Sequence, residues 1–129
     1  MLSLTHGKSS REAIAWWELR RIPFNIAVGV AGLLTVAIML VIGSLVAAPG
    51  EDAVEPVVLI VGVAGYAVAA NVLYTLGWIT ELLWTEGDTS RSAAYRGRIF
   101  RLGLACSIGL TLLPGVVLAL LWGFFGNVR

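Results

Sequence analysis

Residues 57–84 read VVLIVGVAGYAVAANVLYTLGWITELLW. The stretch is apolar almost throughout, and it is longer than the roughly 20 residues that cross about 30 Å of hydrocarbon. It carries one amide, Asn71, and then Tyr74, Thr75, Trp78 and Glu81. On a helix Asn71, Tyr74, Thr75 and Trp78 share one face, and Glu81 lies seven residues beyond Tyr74. The reading is a membrane helix with one polar face, ending near a membrane boundary.

The rest of the chain has the same character. Of its 129 residues, 58% are hydrophobic and only 13% are charged, and the mean hydropathy is +0.88. A soluble domain carries roughly 25% charged residues, so a bilayer suits this chain better than water. Residues 24–48 hold no charge, and residues 102–125 hold none either. These define a first and a third span. A cleaved leader is not expected at 46–48, because the apolar run and the segment before it are both too long.

Between the first two spans, PGEDAVEP (49–56) is a tight turn with three acids and no base. Ser9 with Glu12 forms a capping-box pattern, which predicts a helix start there and a short polar segment before it. The helix over 9–22 mixes Trp16 and Trp17 with charges on no single clean face, which predicts a membrane-surface helix. Its tryptophans would sit in an aromatic belt, with Arg20 placed to stack on Trp16 and Arg21 on Trp17. Pro23 is expected to turn the chain into the bilayer, and Pro114 to kink the third span. Residues 85–101 read as a polar connection, with Gly87 ending the second helix. No heptad or solenoid repeat stands out.

The expected fold is therefore an all-α membrane protein with three transmembrane helices (24–48, 57–84 and 98–125) plus an N-terminal interfacial helix (9–22). They form a single transmembrane domain over residues 1–129. Eight of the nine Lys and Arg residues fall on one side of this topology. The positive-inside rule then places the N-terminus in the cytoplasm and the C-terminus outside.

Small residues mark helix packing. Gly115, Ala119 and Gly123 step by four along the third span, with Gly103 and Ser107 before them. Gly62, Gly65 and Ala69 lie on the second span, and Ala27, Gly29, Ala31 and Gly32 on the first. Such stripes suit internal and oligomeric contacts equally.

Asn71 needs a hydrogen-bond partner in hydrocarbon, either another helix or a ligand. Asn25 reads as a local cap or pair. Glu81 reads as one half of an interfacial ion pair with Arg20, Arg21, Arg98 or Arg101, with Arg20 or Arg21 preferred. The other reading of Glu81 is a proton or cation site. Glu18 belongs to the same interfacial charge cluster. The arginines of 91–101 suit anionic headgroups better than nucleic acid, because topology already accounts for them.

No phosphate loop, catalytic triad or metal-ligand spacing is present, so neither an enzyme nor a cofactor is expected. One histidine excludes a histidine cluster, and the lone Cys106 excludes an internal disulfide. The expected partners are the lipid bilayer and other protein: a homo-oligomer or an accessory subunit of a larger complex. A small oligomeric channel or transporter, with the Asn71–Glu81 face lining its path, is the alternative. Binding of a lipid or quinone-like ligand among the aromatic residues is a third possibility.

Two clusters together, Trp17-Glu18-x-Arg20-Arg21 with Asn25 and Asn71-x-x-Tyr74-Thr75-x-Gly77-Trp78-x-x-Glu81, resemble a group of small bacterial multi-pass membrane proteins of unassigned function. The resemblance covers about a third of the chain and brings no activity with it. It implies only that the two polar clusters belong together; the expected location of the chain is a bacterial inner membrane.

Overall fold

A computed structural model describes residues 2–52, 54–84 and 89–126. Three helices account for nearly all of them: α1 (Leu2–Val46), α2 (Pro56–Trp84) and α3 (Thr89–Phe125). Each is long and apolar enough to cross a membrane. At about 1.5 Å per residue, α2 spans about 44 Å, close to a whole bilayer with its headgroups, while α1 and α3 are longer. Exposed Leu, Ile, Val and Phe side chains run along all three helices. That surface suits lipid rather than water.

The chain runs up, down and up. Ala48 and Glu51 close the first turn with a 3.0 Å backbone bond, and Gly50 takes a φ of 89°, a conformation that glycine adopts without a Cβ penalty. Glu55 then accepts the first backbone bond of α2 from Leu59, with Pro56 at the first helical position. The second connection, with Gly87, lies outside the described residues, as do residues 127–129 of the tail.

Two expectations fail here. There is no separate interfacial helix over 9–22. Helix α1 runs unbroken from Leu2 through Ser9 and Pro23 to Val46, so Ser9 is not a cap and Pro23 is not a corner. The reason lies in packing on both sides of the proline. Trp17, Phe24, Val28, Ala31, Thr35 and Ile42 are all buried, on a stripe stepping by three, four or seven residues that passes straight through Pro23. This is a heptad-type seam, which the sequence did not display. Proline deletes only the bond to the carbonyl of Leu19, and both Leu19 and Pro23 are exposed. The second failure concerns the polar connection. It is helical from Thr89 onward, so α3 is nine residues longer than the span read over 98–125. Pro114 sits inside α3.

Helix α1 lies chiefly against α3. Midway along, Thr35 donates to the Thr111 carbonyl at 2.7 Å, and a Cβ on Gly115 would stand 3.4 Å from the Thr35 Cα. Gly115 is therefore a close-approach position. Tyr66 of α2 reaches the same layer, hydroxyl to hydroxyl with Thr111 at 2.5 Å. Apart from Tyr66, the first half of α2 is largely uncovered. A Cβ at Gly62 or Gly65 would meet nothing within 4 Å. The core lies at the other end, where the basic residues are.

Candidate functional site: a sealed polar clamp at the basic end

Three helices meet around Trp17. Its ring packs edge-on against Trp16, Tyr74 and Phe100 at centroid separations of 5.3–6.2 Å, and Phe24 lies 4.7 Å from Tyr74. Each such pair contributes roughly 0.5–1.5 kcal/mol beyond its buried area. Gly77 makes room for the ring, since a Cβ there would stand 3.3 Å from the Trp17 Cη2. Trp17 is 2% exposed, so it is the centre of the core and not part of a lipid-facing belt.

Polar groups of α2 grip Trp17 at both ends. The Tyr74 hydroxyl donates to the Trp17 carbonyl at 2.5 Å. Seven residues on, Glu81 Oε2 accepts the Trp17 indole N–H at 2.6 Å. The other carboxylate oxygen of Glu81 accepts two N–H bonds from Arg96 of α3, at 2.8 Å from Nη2 and 3.0 Å from Nε. Glu81 is 0% exposed and the Arg96 side chain 17%. One carboxylate thus ties α1, α2 and α3 together.

The partner of Glu81 is Arg96, not Arg20 or Arg21. Arg96 lies four residues before Phe100 and eight before Leu104, both of which pack on the core. Once α3 is helical from Thr89, that phase aims Arg96 inward. Arg98 and Arg101 lie on exposed faces, and Arg101 donates to its own Gly97 carbonyl. Read as a polar connection, residues 85–101 carry no helical phase to single out Arg96.

The remaining polar residues form a second, shallower cluster. Arg21 makes a two-bond ion pair with Glu18, at 2.7 and 2.8 Å, and reaches across to Asn71 and Thr75 of α2 at 3.2 and 3.1 Å. Asn71 also pairs with Asn25 of α1: each side-chain amide donates to the other's carbonyl, at 2.9 and 3.2 Å. Their second N–H groups go to the carbonyls of Ala67 and Arg21. Thr75 donates to the Asn71 carbonyl. Both amides therefore meet their demand within the chain. Beside them is an open groove of about 410 Å³, lined by Arg21, Ala67, Val68, Asn71, Val72 and Thr75.

The polar face read from 71–81 is thus split. Asn71 and Thr75 belong to the Arg21 cluster, while Tyr74 and Glu81 belong to Trp17. Trp78 packs at the edge of the core, and its indole N–H is buried with no hydrogen-bond partner among the described residues. Arg20 lies 3.8 Å over the Trp16 ring, whereas Arg21 stacks on Tyr74 at 4.9 Å and not on Trp17. Of the three small residues stepping by four along α3, Gly115 lies closely against α1. Ala119 is exposed, and a Cβ at Gly123 would meet nothing within 4 Å. Among the described residues, no three His, Cys, Asp or Glu side chains come together as metal ligands.

No known family, curated protein or solved structure matches the chain.

Proposed function

We propose that this is a small polytopic protein of a bacterial inner membrane that acts through protein contacts, as a homo-oligomer or an accessory subunit of a larger complex, and not as an enzyme. Its N-terminus and basic end face the cytoplasm, and its C-terminus faces outside. The observation that carries this reading is the state of Glu81. The carboxylate best placed to serve a transport path is fully buried and holds three helices together through Trp17 and Arg96. Meanwhile the small residues Gly62 and Gly65 on α2, and Ala119 on α3, face outward, where another helix can approach closely.

The second reading is an oligomeric channel or transporter. The open groove beside Asn71 and Thr75 supports it, because the lining of a path must face a space. One preparation separates the two. Native mass of the detergent-extracted particle should exceed that of one chain, and Ala119→Leu should reduce it without unfolding the chain. Liposomes holding the protein should pass protons and small cations no faster than empty ones. A flux abolished by Asn71→Ala would replace the interaction reading with the transport one.

A further inference from the structure

The charges at the basic end are unequally matched. Arg21 is paired with Glu18, and Arg96 with Glu81. Arg20 has no carboxylate partner among the described residues. It is half-buried, and its one hydrogen bond is a long 3.5 Å contact to the Trp16 carbonyl of its own helix. It is nevertheless held in place, since its guanidinium carbon stands over the Trp16 ring, 3.8 Å from the centroid. The ring is itself fixed, edge-on to Trp17 at 5.3 Å and to Phe100 of α3 at 5.9 Å. Arg96 approaches the same ring at 5.6 Å. Exposed Arg98 and Arg101, also without carboxylate partners among the described residues, add positive charge at this end.

We propose that Arg20, seated on Trp16 at the α1–α3 seam, is a binding site for the phosphate of an anionic phospholipid. The proposal rests on the membrane placement given above. Arg20 lies two residues before the uncharged run that starts at Ile22, which puts it at headgroup depth. A guanidinium presents a planar fork of N–H donors matched to phosphate oxygens, and here most of them are unused. Its place over Trp16 and its planar fork reduce the entropy lost when a ligand orders it. The lipid's net negative charge supplies the counter-ion that neither Glu18 nor Glu81 is free to provide. A zwitterionic lipid supplies the same phosphate but no net charge.

The test uses the full chain in vesicles of equal phosphatidylglycerol and phosphatidylcholine. Flotation with the vesicles establishes membrane insertion, and failure there refutes the membrane placement itself. Native mass spectrometry of the extracted protein then reads the ratio of bound anionic to zwitterionic lipid. Arg20→Gln should lower that ratio about fivefold, the equivalent of one surface base acting on an anionic lipid. Arg20→Lys should lower it less, keeping the charge and losing the fork. Arg11→Gln removes the same charge about 13 Å farther along α1 and should leave the ratio unchanged. An equal fall in Arg11→Gln, or a fall of less than twofold in Arg20→Gln, overturns the site. So does displacement of the lipid by millimolar inorganic phosphate, which would make the ligand a free anion.

Discussion

Glu81→Gln is the most informative substitution. The carboxylate faces donors on both sides, with Trp17 N–H at one oxygen and two Arg96 N–H groups at the other. A glutamine has only one carbonyl oxygen. Whichever way its amide turns, its NH2 group confronts a donor, and Arg96 loses its countercharge. Breaking a buried ion pair costs about 3–5 kcal/mol, and a buried donor left unmet about 1–3 kcal/mol. Arg96 is 17% exposed and can extend toward water, which lowers the first figure. We therefore expect a loss of about 2–4 kcal/mol. Unfolding by sodium dodecyl sulfate in mixed micelles, followed by tryptophan emission, measures it, and Trp17 is itself a reporter of the clamp. Adding Arg96→Gln should recover at least half of the loss, because two amides can satisfy one another where an amide and a guanidinium cannot. Adding Arg21→Gln should recover none, since Arg21 serves Glu18, Asn71 and Thr75 instead. A cost below about 1 kcal/mol, or rescue by Arg21→Gln as good as rescue by Arg96→Gln, would refute the clamp.

Gly77→Ala should destabilise by about 1–3 kcal/mol in the same assay, because the added methyl meets a Trp17 ring already held on both sides. Gly109→Ala, where the methyl meets nothing, should be neutral or slightly stabilising, and an equal loss at both sites would remove close packing as the cause. Reporter fusions at Met1, within 49–56 and after Arg129 should report cytoplasm, outside and outside in turn. A cytoplasmic reporter after Arg129 would break the three-span topology.

The number of long helices, their apolar character and the turn at 49–56 were legible in the sequence. Hydropathy averaged over 20 residues reports which solvent a helix suits, and Pro-Gly with three nearby acids marks a turn whatever surrounds it. Where each helix begins and which face it buries were not legible. In a membrane helix the lipid-facing side is as apolar as the packed side, so the seam from Trp17 to Ile42 has no signature in hydropathy. Pro23 read locally is a corner. With Phe24 and Val28 buried on one side and Trp17 on the other, it is a lost hydrogen bond within a continuous α1. The polar residues followed the same division. The sequence identified Asn71, Glu81, Glu18 and Arg21 as groups that need partners, because their desolvation is costly wherever they sit. Only the tertiary structure chose the partners. The extension of α3 back to Thr89 turns Arg96 toward Glu81, and the antiparallel approach of α1 and α2 sets Asn25 and Arg21 beside Asn71. A desolvated charge takes the donor that geometry brings within 3 Å, and that distance is a property of how three helices pack.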